Sequence, residues 1–139
     1  MIELPDVNVL VALVWESHVH HAAARRWFGT RSDDSFATCA VTQAGFVRVS
    51  SNPQALPQAI SVSDAIANLT VLTQRDDHVF LADGYGFVGN PHINHARIVG
   101  YRQVTDAVII AVARQHGARV VTLDSGLAQL GGSDVLRIA

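Results

Sequence analysis

The sequence contains no lysine; all 10 of its basic residues are arginine. Set against 12 acidic residues, they leave a formal net charge of −2. That balance excludes a protein that coats nucleic acid through bulk positive charge. It does not exclude a nuclease, which needs only a local basic rim. Arginine suits bidentate phosphate contacts, but a lysine-free composition also follows from a GC-rich genome, and we read it that way. Cysteine is nearly as scarce. Cys39 is the single thiol, so no internal disulfide can form and a reducing, cytoplasmic compartment is expected. Long hydrophobic runs are missing too. "VLVALVW" and "AVIIAVA" fall far short of the roughly 20 residues that cross a bilayer. The start "MIELPDVNVL" has no basic n-region of a secretory signal. A soluble protein without a membrane partner is the expectation. No repeat or low-complexity segment is present. The histidine pairs in "HVHH" (His18, His21) and "HINH" (His92, His95) lack a companion Cys pair or HExxH, so they read as surface histidines rather than zinc ligands.

What is present is core-forming material. The chain has 139 residues and is 49% hydrophobic, which predicts one domain over 1–139 that folds without staples. Its punctuation alternates strands with helices. "MIEL" reads as a short strand ended by Pro5 and Asp6. "VNVLVALVW" is too long and too rich in Ala and Leu for a strand, so a buried helix is predicted. "HVHHAAARRWFG" reads as an amphipathic helix with Ala22, Ala23, Trp27 and Phe28 inward and Gly29 as its stop. "SFATC" is a second strand. The helix "VTQAGFVRVS" follows, with Thr42 as N-cap and Phe46, Val47 and Val49 for burial.

"SNPQALPQ" is a loop. "SVSDAIANLTVL" has Ser61 and Asp64 at capping-box spacing and Val62, Ile66 and Leu69 on one face. "HVFLA" is a strand, and "HARIVGYRQ" a short helix. The segment from Asp83 to Asn90 holds Gly84, Gly86 and Gly89 and reads as a mobile loop near the site. "TDAVIIAVARQHG" is a buried helix closed by Gly117. "ARVVTL" is a strand apolar on both faces, and "VLRI" a last strand. Strand–helix alternation predicts an α/β fold, a short, mainly parallel sheet with helices on both faces. Right-handed crossovers bring the strand-to-helix junctions to one edge of such a sheet, where ligands bind.

Four polar residues fall at those junctions. Asp6 follows the first strand, Gln43 sits early in the helix after the second, Asp106 opens the buried helix, and Asp124 closes the Val-rich strand. Each aspartate taken alone is accounted for as a helix cap or turn residue. Three independent caps need not converge, however. Two unit charges about 4 Å apart repel by roughly 4 kcal/mol at an effective dielectric of 20. Clustered carboxylates therefore protonate or require a cation. All-oxygen ligands select Mg²⁺ or Mn²⁺, the usual equipment of phosphodiester hydrolysis.

The segments "LPDVNVLVAL", "TQAGFVRV", "RQVTDAVIIAVA" and "VVTLDSGL", in this order, resemble a PIN domain, and more narrowly the VapC toxins of bacterial VapBC toxin–antitoxin modules. The resemblance spans essentially the whole chain. It implies a PIN-like fold, a Mg²⁺- or Mn²⁺-dependent endoribonuclease, a cognate VapB-type antitoxin that occludes the acidic site, an RNA substrate and a homodimer. It implies that Asp6, Asp106 and Asp124 hold the metal, with Asn8 at the polar position two residues after the first aspartate. It implies in-line attack by water activated at the metal, leaving a 5′-phosphate and a 3′-hydroxyl. The chain departs from the pattern at Gln43, where the family has glutamate. The amide keeps the shape and an oxygen but loses the charge, so cation binding and activity are expected to fall. Three explanations stay open: a naturally attenuated member, an engineered variant, or compensation by another acid such as Glu16.

Thr105 and Ser125 flank the acidic positions as candidate hydrogen-bonding residues. Arg97 and Arg102, just upstream of Asp106, are candidate phosphate contacts. Trp15, Trp27 and Phe46 read as core or dimer contacts. Two rival functions fit parts of the pattern. A catalytically silent binding module that sequesters RNA or a partner is favoured by Gln43. A receiver-like domain phosphorylated on Asp6 is disfavoured, since the lysine expected beside a phosphoaspartate cannot be supplied.

Overall fold

The computed structural model describes residues 1–31 and 35–139. Its five strands are β1 (Glu3–Pro5), β2 (Phe36–Thr38), β3 (His78–Phe80), β4 (Arg119–Thr122) and β5 (Val135–Arg137). They form one sheet in the order β3-β2-β1-β4-β5, and every neighbouring pair is parallel. The helices are α1 (Val7–Val14), α2 (His21–Thr30), α3 (Ala40–Ser50), α4 (Val62–Thr73), α5 (Val104–Gln115) and α6 (Ser125–Gly131). The α/β expectation holds, and the sheet is parallel throughout.

Alternation along the strands divides the core into two layers. Leu4, Ala37 and Val120 point to the face covered by α5, where they meet Ile110, Val112 and Leu127. Phe36 and Val121 point to the opposite face and meet Val9 of α1 and Trp27 of α2. Leu10 and Val11, further round α1, pack on Phe46 of α3 and Leu69 of α4. This explains why α1 and α5 carry apolar residues nearly all round: each lies between the sheet and further helices. Fully burying one such Val, Leu or Ile stabilises the fold by about 1.5–3 kcal/mol.

The strand order places a topological switch between β1 and β4. The chain leaves β1 toward β2 on one side, and β4 adds on the other. In parallel sheets a crevice opens at the carboxyl ends of such a pair. Asp6 follows β1 directly and Asp124 comes two residues after the end of β4, so both stand at its mouth.

Several local expectations need correction. Gly29 does not stop α2, which continues to Thr30; the glycine sits in an exposed turn of helix with nothing near it. The inner face of α2 is Ala24 and Trp27 with Phe28 packed at its edge, as expected for Trp27 and Phe28, whereas Ala22 is exposed, because the helix starts at His21 and its phase is set by Trp27 docking on the sheet. Thr42 is not the N-cap of α3. Cys39 is, and the Thr42 hydroxyl reaches back one turn to accept from the Cys39 N–H at 3.0 Å. "HARIVGYRQ" forms two separate 3₁₀ turns, His95–Arg97 and Tyr101–Gln103, not a continuous helix. Helix α6 was not expected from the sequence, since its short Gly-containing span carries no clear period.

The glycine-containing segment after Ala82 does not hang over the acidic edge. Gly84 N–H donates to Gln115 Oε1 at 2.9 Å, and Gln115 Nε2 donates to Asp83 at 3.0 Å. Gln115 closes α5, about 14 Å along the helix from Asp106. Gly117, at φ +63°, then turns the chain into β4 as the sequence predicted.

Candidate active site

Asp6 is held by its surroundings more firmly than a surface cap would be. Its backbone is extended after β1, and Oδ1 accepts from the Val9 N–H at 3.0 Å, capping α1. Oδ2 accepts from the Thr122 hydroxyl at 2.5 Å. The Asp6 N–H donates to Val121 O of β4 at 2.9 Å, stitching the start of α1 to the neighbouring strand. Asp6 is only 5% exposed. Burial pushes its carboxyl above the usual range, Asp124 adds to this, and the hydrogen bonds from Thr122, Val9 and Asn8 oppose it.

Asp124 is the N-cap of α6, with Oδ1 accepting from the Gly126 N–H at 2.9 Å. Its backbone N–H donates to Thr122 Oγ1 at 2.9 Å. Asp106 is the third residue of α5, whose cap position belongs to Gln103. Capping therefore accounts for Asp6 and Asp124 but not for Asp106. Burial, then Asp124, then Asp6, raise the Asp106 carboxyl to about 6. The three aspartates thus stand near enough to repel one another.

Among the described residues no arginine or histidine forms an ion pair with any of the three. The ion pairs among the described residues join Arg31 and Arg75 to Asp77, Arg114 to Asp134 and Arg119 to Glu3. The donor set is carboxylate oxygen, the chemistry of a hard divalent ion. Among the described residues, however, no group of three or more His, Cys, Asp and Glu side chains is gathered as a ready-made metal centre. Charge and donor type fit a cation; ligation requires the carboxylates to turn inward about one point.

The other sequence candidates divide. Gln43, half-buried near the start of α3, donates through Nε2 to Thr38 Oγ1 at 2.9 Å. Asn8, Thr105 and Ser125 are exposed at the starts of α1, α5 and α6. Arg97 donates to Gln129 O near the end of α6 at 3.0 Å, and the Arg102 guanidinium lies 5.7 Å from the Tyr101 ring. Both arginines are exposed on the segment leading into α5. Glu16 does not compensate for Gln43: it lies past the far end of α1, more than about 12 Å along the helix from Asp6. Trp27 and Phe46 are core, and Trp15 packs at its margin with Nε1 3.4 Å from Ser50 Oγ. Of the histidines, His21 Nδ1 meets Ala12 O at 2.7 Å, and His95 stacks on Phe87.

Two positioning residues escaped the sequence reading. Thr122 is fully buried and touches both Asp6 and Asp124. Gln103 accepts from the Val99 N–H at 2.9 Å and donates to Gly126 O at 3.3 Å, tying the start of α5 to the start of α6. The signal for Thr122 was its place as the last residue of a strand, two residues before Asp124. Gln103 offered none.

The PIN domain model matches residues 4–133. "Ribonuclease VapC38" of Mycobacterium tuberculosis is 50% identical over 124 residues, covering 89% of this chain and 86% of that protein. "Ribonuclease VapC39" of the same species is 38% identical over 138 residues, covering 99% of both. Among solved structures, M. tuberculosis VapC20, described as a sarcin–ricin loop cleaving toxin, superposes with a TM-score of 0.63 at 13% identity, over 96% of this chain and 98% of that one. VapBC2 of Rickettsia felis, bound to a promoter DNA fragment, superposes at 0.59 with 11% identity, over 99% and 97%. At those identities the superpositions speak for the fold alone.

Proposed function

Because the chain belongs to the PIN domain family, and within it to the VapC ribonucleases, we propose that it is the endoribonuclease toxin of a VapBC-type toxin–antitoxin pair. The observation that carries this reading is the trio of carboxylates at the β1–β4 switch point, none of which is paired with a cation among the described residues. Mutual repulsion and burial there raise Asp6 and Asp106.

In this reading Asp6, Asp106 and Asp124 hold Mg²⁺ or Mn²⁺. A hard divalent ion supplies positive charge for the phosphodiester oxygens and acidifies water. The chain's own part is orientation. Thr122 and the α1 amides fix Asp6, the Gly126 N–H fixes Asp124, and Gln103 sets α5 against α6. Gln43 offers a neutral amide at the second acidic position, and Asn8, Thr105 and Ser125 line the exposed rim. Arg97 and Arg102 are assigned to the phosphate backbone of RNA. A groove of about 720 Å³ between α3 and α4, lined by Val47, Val62, Ile66 and Leu69 with Gln43 at its wall, supports an apolar antitoxin segment seated beside the acidic edge. A homodimer completes the proposal, checked by light scattering.

A second reading keeps the fold but not the catalysis. Gln43 favours it, since the site lacks a fourth charge. One experiment separates the two. Total RNA is incubated with the protein, with Gln43→Glu and with Asp106→Asn, in Mg²⁺ or Mn²⁺ and in chelator. Metal-dependent cleavage that rises in Gln43→Glu and vanishes in Asp106→Asn supports an attenuated nuclease. No cleavage by the folded parent or by folded Gln43→Glu supports the silent module.

A further inference from the structure

Behind Gln43 runs a chain of hydrogen bonds. Gln43 Nε2 lies 2.9 Å from Thr38 Oγ1, and that oxygen lies 2.7 Å from His78 Nε2. Thr38 is fully buried on β2, and His78 opens the neighbouring β3. In the parallel register His78 sits beside Phe36, so Thr38 is its diagonal neighbour on the same face. The His78 ring packs on Phe36 with centroids 5.2 Å apart and also hydrogen-bonds the Thr73 backbone.

A threonine hydroxyl has one proton to give, so such a chain has a direction. When Thr38 accepts from the Gln43 amide, its own proton goes to His78 Nε2. That nitrogen must then be bare, and the imidazole proton sits on Nδ1, available to the Thr73 carbonyl. The planar amide then turns its carbonyl Oε1 away from Thr38. In the opposite direction Nε2–H donates to Thr38, Thr38 donates to Oε1, and the amide presents its NH₂ instead.

We propose that His78, acting through Thr38, is a positioning residue that fixes which end of the Gln43 amide faces away from the core. The neutral, Nδ1-protonated ring selects the carbonyl oxygen. The relay explains how an amide is seated at a position where the family has glutamate. A carboxylate has no proton to give Thr38 and so demands that hydroxyl as a donor. Thr38 then has none left for His78, and the ring must protonate Nε2. Because Nδ1–H is still required by the Thr73 carbonyl, glutamate at position 43 favours a ring protonated on both nitrogens, a different charge state at His78.

This inference rests on the reading of position 43 as part of the acidic site. Its test reads His78 directly, so loss of nuclease activity and failure of the relay are separate results. Among the described residues the charged group acting on His78 is Asp77, which is itself paired with Arg75 and Arg31, and all three are identical in every variant. Histidine-labelled protein is titrated by ¹⁵N NMR, with His78 assigned by substitution. The parent should show the neutral Nδ1–H tautomer near pH 7. Gln43→Glu should protonate Nε2 and raise the His78 midpoint by about one pH unit, the size of shift a nearby opposite charge produces. Thr38→Ser should preserve the response and Thr38→Val should abolish it. An Nε2–H tautomer in the parent would overturn the proposal. So would an unchanged His78 in Gln43→Glu, or a response that Thr38→Ser loses.

Discussion

The Thr122 hydroxyl donates to the buried Asp6 carboxylate and accepts from the Asp124 N–H. One side chain on β4 therefore sets the positions of two acidic residues 118 positions apart in sequence (6 to 124). Thr122→Val keeps the shape of the strand and removes both bonds. On the proposed nuclease reading it should lower RNA cleavage about 10–100-fold, the usual penalty for losing a group that orients a metal ligand. A cleavage time course beside a thermal melt checks this, and activity equal to the parent's would refute it.

Asp106 makes stability depend on pH. Its folded carboxyl titrates at about 6, against 3.8 when unperturbed. Below both values the group is protonated in the folded and unfolded chain and contributes nothing. As pH rises from about 4 to about 6 the unfolded chain loses the proton first, so the fold is progressively penalised, and the penalty is complete above 6. Asp106→Asn should therefore melt higher than the parent at pH 7.5, with the difference shrinking toward pH 4. Mn²⁺ should raise the parent's melting temperature at pH 7.5 and Asp106→Asn's much less. Melts across pH, with and without Mn²⁺, measure both.

Gly45 lets α3 approach α1 immediately after Asp6. A Cβ there would collide with Val7 Cγ2, and a β-branched side chain has little room to yield. Gly45→Ala should cost about 1–3 kcal/mol in denaturant unfolding, as overpacking does. It should also depress cleavage, because Val7 is the first residue of the helix that Asp6 caps. A variant as stable as the parent would show that the two helices can separate freely.

At the other end of the sheet, Arg119 donates twice to the buried Glu3, at 3.2 and 2.7 Å, and Trp27 Nε1 donates to the same carboxylate at 3.2 Å. Arg119→Met leaves Glu3 in the core with one partner fewer. Stability should fall by about 2 kcal/mol, while cleavage per folded molecule stays unchanged, since this pair lies at the amino ends of β1 and β4. A large loss of kcat would link the two ends of the sheet.

Much of this is legible in the sequence. Asp6, Asp106 and Asp124 announced themselves by falling at strand–helix boundaries, and the doubly apolar runs of α1, α5 and β4 announced burial on all sides. What went astray was local and had tertiary causes. The phase of α2 follows from where Trp27 docks, the Thr42 bond from a turn that begins at Cys39, and α6 from packing of Leu127 and Leu130 rather than from its own propensity.

The sequence by itself determined the layered α/β architecture and the identity of the three carboxylates, because periodicity and junction position are properties of neighbouring residues. Only the tertiary structure decided how they are held. Thr122 on Asp6, Gln103 on Gly126 and His78 on Gln43 through Thr38 join residues 116, 23 and 35 positions apart (6 to 122, 103 to 126, 43 to 78). Such bonds depend on strand order and register, and those are set when the whole sheet assembles.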